Sequence, residues 1–327
     1  MNFRTAVTLK PSPYKIQMDD RILTLGSCFA QSIGQKFLDH KLRTLINPFG
    51  TTYHPLSIHK LLHYALYHEY PPPHTYLENA GVTFNYDFHS SFHGPEQANL
   101  QKQLQECIGV SHYFLKNCRR LIITYGTAWI YERVDTGEAV ANCHKMPSAI
   151  FAKRMATVAE MVDSFKALHK ALETINPALQ IILTVSPVRH IKDTLPLNSV
   201  SKSALRLACH ELSEQFTQVN YFPAYEIMMD DLRDYRFYET DMIHPSEVAE
   251  DYIWEKFCEK YFEPSTLQFF NEWTEIRKAL AHRPFRPEGN AHQDFLKNTM
   301  VRLEAVAPIV DVAEEISQIK SRLISPV

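Results

Sequence analysis

The sequence lacks any run of about 18 uncharged apolar residues, and its N-terminus lacks an apolar segment followed by small residues. We therefore expect neither a membrane-spanning helix nor a secretory signal. The six cysteines lie far apart and form no CxxC pair, so reduced thiols are expected rather than a disulfide framework. With Met1 as the natural start, these absences predict a soluble cytoplasmic protein.

Signatures of nucleic-acid, nucleotide and metal binding are also missing. The formal net charge is only −3, and Lys and Arg are scattered rather than gathered in a basic patch. No P-loop is present, and no GxGxxG follows an apolar run. His59 and His63 have helical spacing but lack the intervening Glu of a zinc-protease helix, which favours ordinary surface histidines. We expect no nucleic-acid partner, no cofactor and no metal.

Short apolar runs alternate with helical patterns along most of the chain. The runs at 21–26, 121–126, 181–187 and, more weakly, 219–224 predict strands that are buried on both faces. Helices are predicted at 28–39, 151–175, 199–216 and 246–262. This alternation predicts a three-layer α/β/α sandwich with a mostly parallel, flavodoxin-like sheet.

Two regions depart from this alternation. Residues 66–100 contain three consecutive prolines and several histidines, and predict an irregular excursion over the sheet. After residue 262 the strand patterns stop, and helices are predicted at 265–281, 291–305 and 310–324. We therefore divide the chain into an α/β domain, 1–262, and a helical C-terminal extension, 263–327. The sequence of the extension fits either a helical cap or an arm for oligomerisation.

The first candidate site residue is Ser27, in the segment TLGSCFAQSIG. Gly26 and Ser27 stand where the first strand ends and a helix begins, at the edge where open parallel sheets bind ligands. Free N–H groups at a helix start favour a developing anion beside the serine hydroxyl. Serine is also a common helix N-cap, so the segment alone leaves capping and nucleophilic catalysis equally open.

The second candidate is the pair Asp241 and His244, in FYETDMIHPS. In a turn just before a helix that Pro245 could open, the carboxylate can accept from one imidazole nitrogen while the other faces the serine. The alternative is that Asp241 caps the helix and His244 lies on its surface. The chain order Ser, Asp, His favours a catalytic triad.

At this point the sequence resembles the GSCFA-domain family, which is similar to the SGNH/GDSL hydrolases. The resemblance covers about residues 20–260 and rests on several segments. These are GSCFAQSIG, NPFGTTYHP (47–55), TYGTAWIY (124–131), NCHK (142–145), SPVRH (186–190), YFPAYEIMMDDLRDYRFY (221–238) and DMIHPS. The resemblance implies an SGNH-type fold with Ser27, Asp241 and His244 as nucleophile, acid and base.

The oxyanion hole implied by the resemblance is matched unevenly. Gly50 corresponds to the glycine that supplies a backbone donor. The usual G-x-N-D block here has Gly126 and Thr127 followed by Ala128 in place of the asparagine. The missing donor is expected from another residue, for which the candidates are Asn47, Asn142 and, third, Thr127.

Other polar residues are assigned to the same rim. Cys28 is an alternative nucleophile, but neighbouring residues at a helix start point in different directions, which favours a small buried side chain. Arg189 and His190 follow the third strand; they fit either a substrate carboxylate or phosphate, or an ionic contact with the acidic segment MMDDLRD. His144 is expected to enter the pocket.

Taken together, these residues predict a serine esterase that needs no cofactor. The resemblance points to an O-acetylated carbohydrate or another small ester as substrate. Two alternatives stay open: a non-catalytic ligand-binding or scaffolding protein on the same fold, supported by the missing asparagine, and an acyltransferase.

Overall fold

A computed structural model describes residues 4–324. Residues 1–3 of the predicted α/β domain and residues 325–327 of the predicted C-terminal extension lie outside the described residues. The strands are β1 (Arg21–Gly26), β2 (Arg43–Ile46), β3 (Tyr76–Asn79), β4 (Val82–Asn85), β5 (Arg120–Tyr125), β6 (Trp129–Arg133), β7 (Ala139–Val140), β8 (Phe151–Met155), β9 (Gln180–Val185) and β10 (Val219–Phe222). The helices are α1 (Cys28–Asp39), α2 (Pro55–Tyr67), α3 (Gln97–Asn117), α4 (Val158–Ile175), α5 (Leu195–Gln215), α6 (Ala224–Glu226), α7 (Glu247–Tyr261), α8 (Pro264–Ala281), α9 (Asn290–Val306) and α10 (Ala313–Arg322).

The central sheet has five parallel strands in the order β10-β9-β5-β1-β2. Counted along the chain, this order is 2-1-3-4-5, the flavodoxin-like winding. The predicted α/β/α sandwich is therefore confirmed. Because the strand order reverses between β1 and β5, the carboxyl ends of these two strands form the crevice in which this class of fold binds ligands.

Alternate residues of each central strand enter different cores. Leu23 and Leu25 of β1 pack in the core formed with α2 to α5, whereas Ile22 packs on the other face with α1 and α7. Strands β5 and β9 show the same division, which accounts for their continuous apolar runs. Burial on both faces is thus the physical origin of the pattern that predicted these strands.

Several elements differ from the sequence predictions, among them α3, β6 and β7, which were not predicted. Strand β2 was not predicted; it is a short edge strand whose burial is only partial, so its apolar signal is weak. The helix predicted at 151–175 is wrong at its start, because residues 151–155 form β8 and pair with β6. Helix α4 begins after Thr157, whose side chain accepts from Glu160 N–H in a capping box.

The excursion at 66–100 is less irregular than predicted. It contains the end of α2, the antiparallel β3–β4 hairpin and the start of α3. The hairpin lies beside the loop that carries Asn142 and His144, because Asn79 Nδ2 donates to His144 O at 2.9 Å. The segment therefore helps to build the rim of the sheet.

The C-terminal extension is helical, as predicted, and packs on one face of the sandwich. Trp273 of α8 donates its indole N–H to Asp39 O at 2.8 Å, and Phe270 stacks on Trp254 of α7. These helices share one apolar core with α1 and α7. The extension therefore covers the helical layer formed by α1 and α7, and α1 is the helix that follows Ser27. None of the helices in residues 4–324 has the length and apolarity to cross a membrane.

Candidate active site

Ser27 lies between β1 and α1, at the N-cap position with extended backbone (φ −69°, ψ 177°). Its hydroxyl makes no capping hydrogen bond, is fully buried and has no hydrogen-bond partner within residues 4–324. Buried hydroxyls are nearly always bonded, and those of Thr24, Ser111, Thr184 and Tyr261 also lack a partner among the described residues. What distinguishes Ser27 is therefore its position at the carboxyl edge of the sheet as well as its unbonded hydroxyl. The capping role that the sequence left open does not account for Ser27.

Gly26 makes the turn that places Ser27. Its φ is +133°, and a Cβ at this position would lie 2.1 Å from Thr124 O on β5. Only glycine fits this backbone conformation and this close approach. The Gly26 N–H donates to Asn47 Oδ1 at 2.9 Å, and Gly26 O accepts from Thr52 N–H at 3.0 Å. The chain after β2 is therefore fastened to the end of β1.

Asn47 is the side-chain donor that the structure leaves free beside this turn. Because Gly26 N–H can only donate, the atom that it contacts must be the amide oxygen, which fixes the orientation of the Asn47 amide. The remaining atom, Nδ2, is buried and has no partner in the part of the chain that the structure describes. Among the proposed oxyanion donors, Asn47 thus has an unused N–H group next to the Gly26–Ser27 peptide.

The predicted backbone donors are engaged in this state. Ser27 N–H donates to Thr124 O at 3.2 Å, and Gly50 N–H donates to Asn47 O at 2.8 Å. A Cβ on Gly50 would also lie 2.4 Å from His89 Cβ, so this glycine is tightly covered. Cys28 N–H, in the first turn of α1, has no acceptor within the helix and is a further candidate backbone donor.

The Asp241–His244 pair forms as expected. His244 Nδ1 lies 2.7 Å from Asp241 Oδ2, and Asp241 Oδ1 accepts from the backbone N–H groups of His244 and Ile243. The His244 backbone N–H, the His244 side chain and the Ile243 N–H together lower the pKa of Asp241 to about 2. The carboxylate is therefore ionised, Nδ1 carries the proton, and Nε2 is left as the basic nitrogen.

The capping alternative for this pair is wrong. The N-cap of α7 is Ser246, whose hydroxyl accepts from Ala249 N–H at 3.4 Å. Pro245 precedes that cap instead of opening the helix. Met242 adopts a left-handed conformation (φ 58°), which turns the chain so that Asp241 can reach His244.

The loop after β9 contacts the Asp241–His244 turn. Arg189 N–H donates to Ile243 O at 3.2 Å, and the Arg189 guanidinium donates to Met242 O at 3.4 Å. Burial, followed by the charges of Lys202 and His244, lowers the pKa of His190 to about 3. His190 is therefore neutral, and its Nε2 is buried with no partner.

Tyr53 links this loop to the serine turn. Its ring centroid lies 5.3 Å from that of His190, and its hydroxyl lies 3.6 Å from Cys28 Sγ. Its carbonyl accepts from Gly126 N–H at 2.7 Å, beyond the end of β5. We name residues 50–54 the strap, because the contacts of Thr52 and Tyr53 fasten this segment across the ends of β1 and β5. Ser27 Oγ and His244 share no hydrogen bond in this closed arrangement.

The remaining predicted site residues have local partners. Thr127 Oγ1 lies 3.1 Å from Ser201 Oγ and accepts from Trp129 N–H. Asn142 Oδ1 accepts from His144 N–H. His144 is buried with Nε2 2.7 Å from Asn85 O, against the β3–β4 hairpin. Thr127 and His144 therefore hold the rim together, and a direct role in the pocket stays a prediction.

Lys202 was missed by sequence reasoning. It lies on α5 and is only 1% exposed, and its Nζ donates to Gly126 O and Ser186 O, both at 2.7 Å. Burial lowers the pKa of Lys202 to about 7. The side chain ties together the residues that follow β5 and β9. A lysine within a helix carries no sequence signal that distinguishes such a role from a solvated one.

The expectation that His59 is a surface histidine is wrong. His59 is buried, with Nδ1 2.8 Å from Ser164 Oγ and Nε2 2.7 Å from Tyr125 Oη. Burial is the main cause that lowers its pKa to about 3. Between residues 4 and 324, His, Cys, Asp and Glu form no group of three or more that could hold a metal ion.

The sheet order and the position of Ser27 at its carboxyl edge define an α/β sandwich protein with a candidate site at the β1–β5 crevice. The chain belongs to the GSCFA family, whose model matches residues 21–257. A second model, for the C-terminal domain of GSCFA domain proteins, matches residues 273–325. The two matches fall on either side of the predicted boundary at 262/263, which itself stays a prediction.

Comparison with other proteins adds only distant likenesses. No curated protein matches the chain. A Streptococcus pneumonia structure, provisionally described as a platelet activating factor, is 11% identical with a TM-score of 0.38 and covers 74% of this chain and 84% of its own. A carbohydrate esterase family 3 structure from Talaromyces cellulolyticus is 7% identical with a TM-score of 0.34, covering 77% and 99%. Likenesses at this distance transfer neither a function nor a site.

Proposed function

We propose that this protein is a serine hydrolase of acyl esters, with Ser27 as nucleophile, His244 as general base and Asp241 as the acid that orients it. The observation that carries the proposal is the Ser27 hydroxyl, buried at the carboxyl edge of the sheet without any structural partner. The independent support is the Asp241–His244 pair, whose geometry leaves Nε2 as a base.

Backbone strain in the family-like segments also supports a site here. Eight of the described non-glycine residues have positive φ, among them Asn47 (φ 39°), His144 (φ 47°), Lys145 (φ 58°) and Met242 (φ 58°). Each such residue costs on the order of 1 kcal/mol, and strain of this kind gathers at functional sites. These four of the eight lie in NPFG, NCHK and DMIH, the segments that carry proposed site residues.

The reaction would follow the acyl-enzyme course of a serine esterase. Ser27 Oγ attacks the ester carbonyl carbon as His244 Nε2 takes its proton, while Asp241 keeps the other imidazole nitrogen protonated. Asn47 Nδ2 and Cys28 N–H would donate to the oxyanion. His244 then protonates the leaving alcohol, and water activated by His244 releases the acyl group from Ser27.

Substrate access requires the strap to move. Ser27 is fully buried, and hydrogen bonds from Thr52 N–H to Gly26 O and from Gly126 N–H to Tyr53 O fasten the strap. Thr127 N–H also donates to Tyr53 O at 3.3 Å, and His54 Nε2 lies 3.2 Å from Ala128 O. At about 1 kcal/mol net for each of these four hydrogen bonds, release of the strap costs on the order of 4 kcal/mol, which makes the open state a minor one.

A ligand-binding protein on the same fold is the second candidate. The engaged N–H groups of Ser27 and Gly50 favour it, since neither donor is free to receive an oxyanion in the closed state. The two candidates differ in one property. Only the hydrolase requires an activated serine hydroxyl.

The test is intact-mass analysis after reaction with a fluorophosphonate probe. We expect one adduct on the wild-type protein and none on Ser27→Ala or His244→Ala. Ser246→Ala is the matched control, because Ser246 also precedes a helix but uses its hydroxyl as a cap. It is expected to label like the wild type.

Cys28→Ala separates the serine from its neighbouring thiol. An adduct that persists in Cys28→Ala identifies Ser27 as the nucleophile. An adduct that is lost in Cys28→Ala but kept in Ser27→Ala identifies Cys28 instead. Labelled protein justifies a screen of small esters and O-acetylated carbohydrates, with an added alcohol acceptor to detect acyl transfer. Folded wild-type protein that takes no label contradicts the hydrolase and favours the binding protein.

A further inference from the structure

The Arg189 side chain is held in a fixed orientation beside the Asp241–His244 turn. Its guanidinium carbon lies 3.9 Å from the ring centroid of Tyr238 and 5.2 Å from that of Tyr235. It also donates to Met242 O at 3.4 Å. A planar cation placed on aromatic faces loses little rotamer freedom when it binds an anion.

The acidic side chains around Arg189 are committed to other groups. Asp230 pairs with Arg233, Asp234 with Arg236, and Asp231 with Arg4. Asp241 pairs with His244. In the part of the chain that the structure describes, Arg189 therefore has no carboxylate partner. This result removes one of the two roles that the sequence left open for it, the contact with the MMDDLRD segment.

A cavity of about 130 Å³ lies against this guanidinium. Its walls are mainly apolar and come from residues 228–238. They also carry Arg233 and Asp234, which pair with Asp230 and Arg236, so the Arg189 guanidinium is the cation of this wall without a carboxylate partner among the described residues. Met228 and Met229 belong to a π-helical turn, residues 227–231, an element that is uncommon and often lies at functional sites. A small cavity of this kind fits an apolar group that ends in an anion.

We propose that this cavity is a subsite for an anionic substituent of the substrate, a carboxylate or phosphate joined to the ester through a short apolar segment. This inference rests on the proposed function, because the hydrogen bond from Arg189 N–H to Ile243 O joins the cavity wall to the loop that carries His244. Arg189 is a binding residue that selects the substrate. The subsite narrows the substrate class to small esters with a negative charge.

Binding is measured first, without any need for turnover. Isothermal calorimetry compares phenyl phosphate, benzoate and neutral benzyl alcohol on the wild-type protein, Arg189→Met and Arg189→Lys. At least one of the two anions is expected to bind, and the preferred anion identifies the charged group. We expect Arg189→Met to weaken anion binding about ten- to hundredfold and Arg189→Lys to weaken it less, because lysine keeps the charge but loses the two-pronged geometry.

Arg233→Met is the matched control. Arg233 lines the same cavity but already pairs with Asp230, so its loss is expected to change anion affinity by less than about threefold. A thermal melt of each variant shows that it is folded. Equal anion binding by wild-type protein and Arg189→Met, or equal binding of benzyl alcohol and the anions, overturns the subsite.

Kinetics then separate the subsite from the proposed function. The 4-nitrophenyl ester of glutaric acid, with a free carboxylate, is compared with the neutral pentanoate ester by kcat/KM. A preference for the charged ester that disappears in Arg189→Met supports both proposals. Ser27-dependent hydrolysis with no such preference overturns the subsite and leaves the hydrolase intact. Anion binding lost in Arg189→Met, with neither ester hydrolysed by folded protein, supports the subsite and contradicts the hydrolase.

Discussion

Replacement of Lys202 by methionine tests the electrostatic account of the sheet edge. Lys202 is buried without a carboxylate partner among the described residues, and its Nζ donates to Gly126 O and Ser186 O at 2.7 Å. Burial lowers its pKa from 10.5 to about 7. Lys202→Met keeps the aliphatic volume but removes both the charge and the two donated hydrogen bonds.

The sign of the pH dependence follows from where the proton is bound. Between pH 7 and 10.5 the unfolded chain keeps the Lys202 proton while the folded chain has lost it, so wild-type stability rises with pH in this range. The slope is about 1.4 kcal/mol for each pH unit. The total penalty of about 5 kcal/mol below pH 7 therefore falls to roughly 2 kcal/mol at pH 9.

The assay is urea unfolding of both proteins at pH 6.5 and pH 9. Two unsatisfied carbonyls in Lys202→Met cost on the order of 1–3 kcal/mol each at either pH. Removal of the buried charge offsets this loss by about 5 kcal/mol at the lower pH but by only about 2 kcal/mol at pH 9. We expect the destabilisation by Lys202→Met to be about 2–3 kcal/mol larger at pH 9 than at pH 6.5. Other titrating groups largely cancel between the two proteins.

Lys170→Met provides the control, because Lys170 lies exposed on α4. Its effect on the free energy of unfolding is expected to be small and the same at both pH values. A destabilisation by Lys202→Met that does not change with pH would refute the reasoning, because Lys202 would then keep an ordinary pKa in the fold. A larger loss at pH 6.5 would refute it too.

The remaining predictions concern the serine turn. Gly26→Ala should destabilise the fold by roughly 3 kcal/mol or more in urea unfolding, because its Cβ would lie 2.1 Å from Thr124 O. Gly109→Ala, in the open middle of α3, should instead stabilise it by about 0.5–1 kcal/mol, and equal effects would contradict the turn argument. Asn47→Asp keeps the acceptor for Gly26 N–H but removes the free donor, so kcat for ester hydrolysis should fall about 100- to 1,000-fold, and an unchanged kcat would exclude Asn47 from the oxyanion hole. Tyr53→Ala should speed fluorophosphonate labelling by loosening the strap, and an unchanged rate would mean that strap opening does not limit access.

Much of the fold was predictable because burial on two faces leaves a strong pattern. The segment 21–26 matches β1, and 28–39 matches α1, since a run of apolar residues meets a glycine turn and then a helical stripe. The error at 151–155 arose because the local spacing of apolar residues did not reveal a pairing with a distant strand. Met155 has the spacing of the apolar stripe of α4, but Phe151–Met155 pairs with β6, and only the Thr157 cap marks where the helix begins.

The candidate site was predictable where chemistry and strand ends coincide. Ser27 stands at such an end. The Asp241–His244 pair lies in a turn before α7, well after the last strand, and the expected contact within the pair is present. Lys202 and Tyr53 escaped notice because their roles depend on tertiary neighbours. Lys202 is buried beside the residues that follow β5 and β9, and Tyr53 lies across the ends of β1 and β5. Neither position leaves a pattern in the neighbouring sequence.

The comparison of two serines shows what sequence alone cannot decide. Ser27 and Ser246 each stand immediately before a helix, so local pattern predicts a cap for both. Ser246 meets that prediction by accepting from Ala249 N–H, whereas the Ser27 hydroxyl is buried and bonds to nothing. A buried hydroxyl without a partner costs about 1–3 kcal/mol, and the fold could avoid this cost with alanine at the same position. The nucleophile role that we propose for Ser27 would account for this cost, because the hydroxyl would then form its bond when substrate arrives.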